Sequence, residues 1–170
     1  MPSGPTLTIR LLTLLRIDLG STPSHRQPRF SKVVLAAALS IVGSLVADAL
    51  LVAIGTHAFP STKGYSHFQF HDYATLTIIG IVIGCAAWPI VVRISTAPRW
   101  LFFRSAILVT AVLLLPDLFI LHQGQPSKAV AFLMLMHIAI GVITYNLLVR
   151  LAPTHRRRSV HRERRVRSGV

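Results

Sequence analysis

Acidic residues are almost missing from this 170-residue chain, which has only Asp18, Asp48, Asp72, Asp117 and Glu163. Cysteine is rarer still. With Cys85 alone, one chain forms neither a disulfide framework nor a CxxC redox pair, which excludes the quinone-linked disulfide-forming membrane enzymes. Charged residues make up 14% of the chain, against about 25% in a soluble domain. No nucleophile–base pair and no metal motif stands at a recognised spacing. The chain is therefore expected to be no enzyme, with no catalytic residues and no cofactor.

What is abundant is apolar sequence, 52% of the whole. A bilayer core about 30 Å thick needs roughly 20 apolar residues in helical form. Four runs qualify: Val33 to Thr56, Tyr73 to Val92, Trp100 to Leu121 and Ala129 to Val149. Lipid admits only helices or closed barrels, and runs this long are not strands of a small fold. Short connections, marked by Pro98 and by Gly124 with Pro126, join them. The fold class is thus an all-α integral membrane protein, a four-helix transmembrane up-and-down bundle with sequence neighbours packed together. Its organisation reads as a leader over 1–30, a membrane domain over 31–153 and an Arg-rich tail over 154–170. Ser31, Asp72 and Ser127 each precede a run and are expected as helix caps.

Positive charge is plentiful, at +13 net, and its distribution orients the chain. Arg10, Arg16, Arg26, Arg29 and Lys32 precede the first run, and Arg93, Arg99 and Arg104 follow the second. Arg150, Arg156, Arg157, Arg158, Arg162, Arg164, Arg165 and Arg167 follow the fourth. Only Lys63 and Lys128 lie on the other side. The crowded side is expected to be cytoplasmic, an N-in/C-in arrangement in the cell membrane. The tail's arginines suit anionic lipid headgroups. No aromatic residue stands among them to stack on a base, so no nucleic acid is expected as a partner.

Residues 6–19 have two readings. Leu7, Leu11, Leu12, Leu14, Leu15 and Leu19 share one arc of a helix, with Thr6, Arg10, Thr13 and Arg16 opposite, as in an interfacial anchor. Thr8, Ile9, Ile17 and Asp18 break that pattern, as in a leader without structure. Arg10 and Arg16 interrupt the apolar stretch, which argues against a signal peptide.

Three ionisable residues lie inside the runs, where a charge needs a reason. Asp48 is roughly 12 Å in from Thr56, His137 roughly 13 Å in from Lys128, and Asp117 roughly 7–8 Å from His122. All three belong to one half of the bilayer, on faces that let them meet inside the bundle. The depths of Asp48 and His137 match, so those two are expected to touch. The cluster reads either as a proton or substrate pathway or as interhelical hydrogen bonding. For Asp117, the adjacent Pro116 and the shallow depth favour the structural role. Asn146 points away from His137, toward a neighbouring helix or partner chain.

Gly80-x-x-x-Gly84 offers a small-residue face for close helix approach, within the bundle or with a second copy. His67 and His71, with Asp72 beside them, would share a face if the second helix began early, a spacing used by helical zinc and copper sites. No HExxH glutamate or cysteine accompanies them, so they read as loop histidines and no metal is expected.

Asp48 with the apolar run to Ile54-Gly55, the Leu115-Pro116 break and Met136-His137 together resemble a group of small actinobacterial membrane proteins. That group shares a four-span domain of unknown function, and the resemblance covers about Val33 to Pro153. It implies the four-span fold and no activity. Asn commonly stands there in place of Asp48, which weighs against a catalytic carboxylate. The function expected is a non-enzymatic envelope component that self-associates or assists another membrane protein. The alternative is a small proton-coupled transporter or exporter using Asp48 and His137.

Overall fold

Backbone amides inside lipid bond only within their own segment, so each apolar run closes into a helix. The computed structural model describes Ile17 and residues 25–156. A short strand, β1 (His25–Arg26), leads into α1 (Phe30–Ala58). Two 3₁₀ turns, Pro60–Thr62 and Ser66–Phe68, lead on to α2 (Phe70–Ile94). Then come α3 (Pro98–His122), α4 (Ser127–Leu151) and the strand β2 (His155–Arg156). β1 and β2 pair antiparallel, His25 opposite Arg156 and Arg26 opposite His155. Both flanks of the bundle therefore meet at one end, the strand end. The turns after α1 and α3 form the opposite, loop end.

All four helices are long and apolar enough to cross a membrane. Each runs past its apolar stretch by one to three residues at either end, because the hydrogen-bond ladder continues after the side chains turn polar. This moves the caps. The residues at the N-cap are Arg29, Gln69 and Pro126, none of which caps through its side chain. Ser31, Asp72 and Ser127 lie inside the first turns instead. Asp72 still acts there, its negative charge facing the positive end of the α2 dipole. At α3, Pro98 occupies the first turn, where its missing N–H deprives the helix of nothing.

Sequence neighbours pack together, and the largest contact joins the first helix to the last, α1 to α4. α4 touches all three others and is the centre of the bundle. α3 is the outermost helix, with only 6% of its most apolar window buried against 33% for α2. Outward faces carry exposed Leu76, Ile83, Leu108 and Val142, a surface suited to lipid.

At the strand end the bundle is closed by a wholly apolar core. Ala36, Trp88, Val92 and Leu148 are fully buried there, with Phe102 and Ala152 nearly so. Trp88 packs against Phe102, ring centroids 4.9 Å apart, and Phe102 stacks on Tyr145 at 5.9 Å. The Trp88 indole N–H donates to the Ala152 carbonyl at 3.1 Å, an acceptor that the end of α4 leaves free. Ile17 packs on this core and bridges to Ser95. The rest of the proposed interfacial helix over 6–19, and the tail beyond Arg156, lie outside the described residues.

Candidate functional site

Close contacts at glycines fix the register of the helices. A Cβ on Gly43 would lie 3.5 Å from Ile143, and one on Gly55 3.2 Å from the Phe132 ring. α1 and α4 are antiparallel, so five residues on from Gly43 and five back from Ile143 set Asp48 level with Ile138. α2 and α4 are parallel, and Gly84 meets Thr144 at 3.7 Å. Seven residues back along each places Thr77 level with His137. Asp117 reaches His137 directly. One polar residue from each helix, Asp48, Thr77, Asp117 and His137, therefore lies in a single layer toward the loop end.

Within the layer the contacts run in two pairs. The Thr77 hydroxyl donates to Asp48 Oδ2 at 2.9 Å, tying α2 to α1. His137 Nδ1 lies 2.9 Å from Asp117 Oδ2, tying α4 to α3. That second contact has the distance of an ion pair without the alignment of a straight hydrogen bond. The expected contact between Asp48 and His137 is thus corrected. Their depths do match, but Asp48 turns to α2 while the imidazole turns to α3. The two are still close enough for the charge of His137 to act on Asp48. Asp117 is buried and is the residue to which His137 turns.

Asp48 is fully buried, as are Ser44 and Ser40 one and two helical turns nearer the strand end. Ser40 Oγ, Ser44 Oγ, Asp48 Oδ1 and Thr144 Oγ1 have no partner within the protein. Two residues of this group, Thr77 and Ser40, carry no signal in the sequence. Hydroxyls in spans usually bond their own backbone. Thr56 and Thr75 do so here, each donating to the carbonyl four residues back at 2.8 Å.

Over the layer sits the connection between α1 and α2. Tyr65 packs edge-on against Phe68 and His67. Burial pushes the Tyr65 phenol up from its ordinary pKa, and the charge of Asp117 adds to the effect. His67 belongs to the 3₁₀ turn and His71 to α2, which begins at Phe70, so the two do not share a helical face. Among the described residues no three His, Cys, Asp or Glu side chains converge as a metal set.

Of Gly80-x-x-x-Gly84, only Gly84 faces another helix, and Gly80 opens onto nothing within 4 Å. The tight approach is elsewhere, at Gly141, where a Cβ would fall 2.8 Å from Thr110 Oγ1. Asn146 bonds within its own helix, donating to the Val142 carbonyl at 2.8 Å. It lines a groove of about 550 Å³ between α3 and α4.

Residues 20–154 match the family of unknown function DUF6069. The chain belongs to that family. The DUF6069 match spans β1, all four helices and the entire polar layer, and ends just before β2. It agrees with the four-span domain that the sequence resembled. No curated protein and no solved structure matches the chain.

Proposed function

We propose that this chain is a non-enzymatic, multi-pass component of the cell membrane whose polar layer clamps four helices into one unit. The observation that carries the reading is how the polar groups are used. Both carboxylates and the imidazole direct their contacts at another helix of the same bundle, across α1–α2 and across α3–α4. Groups engaged in this way hold helices together, a role that hydrogen bonds take over where lipid removes the hydrophobic drive between helices. The strand end is the cytoplasmic end in this reading. Support comes from the sixteen Lys and Arg residues in the flanks and in the adjoining turns of the helices, against two toward the loop end. The Arg-rich tail then lies against anionic headgroups, and lateral assembly with a second copy or another membrane protein uses the thinly covered α3.

Asp48 supports a second reading, a small proton-coupled transporter. Its Oδ1 is buried without a partner in the protein, above a line of hydroxyls in the same state. Reconstituted vesicles loaded with a pH-sensitive dye separate the two readings. Under the clamp reading, wild type and Asp48→Asn show the same proton flux as empty vesicles. A flux present in wild type and lost in Asp48→Asn would overturn it in favour of transport. Orientation is tested apart from this, with reporters at Val170 and near Lys63. The first is expected to be active only in its cytoplasmic form, the second only in its external form.

A further inference from the structure

Beside the clamp, buried polar atoms without a partner in the protein follow one another in a line. Ser40, Ser44 and Asp48 are four residues apart, so they lie on one face of α1 with roughly 6 Å between steps. Thr144 of α4 is level with the same stretch, because Gly43 and Ile143 are in register. Buried polar atoms that a protein does not satisfy itself are satisfied by water.

The two ends of this line differ. Toward the strand end it stops at Ala36, Trp88 and Leu148, all fully buried and apolar. Toward the loop end it meets the layer, where the His137 side chain is 27% exposed and Asp117 7%. Tyr73 stands near Asp48, and Tyr65 and His67 stand near Asp117. The interior is polar toward the loop end and closed by apolar packing toward the strand end.

We propose that Asp48 is a proton-binding site, loaded by water from the loop end past the Asp117–His137 pair and shut off from the strand end by the Trp88 core. A hydronium ion entering from the loop end gives one proton to the Asp48 carboxylate and leaves as water, and the reverse step releases the proton to the same side. The protonated carboxyl acquires an O–H donor, for which the line of hydroxyl oxygens supplies acceptors. The groups facing it are Tyr73 and Thr77 on α2 and His137 on α4, with Asp117, Tyr65 and His67 beyond the imidazole. The site requires no transport, since a proton bound from one side serves equally to sense the pH there.

Two measurements on the full chain test it. In a Cys85→Ala background, single cysteines at Ser44, Thr77, Leu148 and Lys63 are exposed to a membrane-impermeant thiol reagent in sealed vesicles of either orientation. Ser44→Cys and Thr77→Cys should react from the side that labels the loop-end marker Lys63→Cys, and Leu148→Cys from neither. Because sidedness is scored against Lys63→Cys, an inverted topology changes both signals together and does not mimic failure of the site. Absence of labelling at Ser44→Cys and Thr77→Cys, or labelling from both sides, overturns the proposal. In detergent, acidification should raise, beside the bands of the exposed carboxyls, one protonated-carboxyl infrared band that belongs to Asp48. That band should be lost in Asp48→Asn, shifted in Asp48→Glu and kept in Asp117→Asn. A band that survives Asp48→Asn, or that responds to sodium rather than to pH, also overturns it.

Discussion

The two halves of this bundle face the same lipid and hold together by different means. Toward the strand end, Trp88, Val92, Phe102 and Leu148 interlock with no ionisable side chain among them. Toward the loop end, Asp48, Thr77, Asp117 and His137 join the helices through polar contacts. Lipid tails are as apolar as leucine, so helices gain little by hiding apolar surface from them. Dispersion between close-packed rings must serve in the first half, and directed bonds in the second. Packing tolerates no loss of volume, whereas a bonded pair tolerates no loss of its partner.

That contrast is tested first where the effect should be largest. Trp88→Ala removes a fully buried indole together with its bond to the Ala152 carbonyl. The expected loss is about 3–5 kcal/mol of unfolding free energy, the range for large-to-small changes in a packed core. It is read from denaturant titration in detergent. Trp88→Phe keeps most of the ring and leaves the buried Ala152 carbonyl without its donor, and should lose less, about 1–3 kcal/mol. Equal losses for the two variants would mean that the hydrogen bond, and not the packing, holds the strand end.

The polar half answers to double-mutant cycles. Asp117→Asn with His137→Ala should show a coupling of about 0.6–1.7 kcal/mol, the span found for side-chain pairs in membranes. Asp48→Asn with His137→Ala should couple less, because Asp48 bonds to Thr77 and not to the imidazole. A larger coupling for the second pair would restore the contact that depth alone suggested.

Depth and length were legible in the sequence because they follow from arithmetic. Rise per residue sets how far Asp48 and His137 lie from the ends of their runs, and the helices put them level, as that arithmetic requires. Partner choice was not legible, because it depends on which helices are adjacent and how each is rotated. Thr77 shows the difficulty. On α2 alone it is indistinguishable from Thr75, which bonds its own helix at the carbonyl of His71. Only the presence of α1 turns Thr77 into the donor to Asp48. The caps failed for another reason. Apolar runs mark the lipid, and helices continue beyond the lipid, so a polar residue at the edge of a run already lies within the first turn.

Small residues were legible only in part, and they give the smallest and sharpest test. The Gly80-x-x-x-Gly84 pattern points to α2, whereas the closest approach falls at Gly141, whose neighbours four residues away are His137 and Tyr145. No motif marks it. Gly to Ala within a helix is worth up to about 1 kcal/mol in propensity, so Gly80→Ala, which meets nothing within 4 Å, should stabilise the fold. Gly84→Ala should do nearly as well, its new methyl 3.7 Å from Thr144 being in ordinary contact. Gly141→Ala forces a methyl to 2.8 Å from Thr110 Oγ1. Overpacking of that kind costs about 1–3 kcal/mol, which cancels the propensity gain and leaves a net loss of up to about 2 kcal/mol. Adding Thr110→Ala should remove the clash and recover the loss, which a general disturbance of α4 would not allow. The reverse order, with Gly80→Ala harmful and Gly141→Ala harmless, would place the tight helix contact on the outward face of α2. That face meets no helix of its own bundle, so such a result would point to a second copy of the chain packed against it.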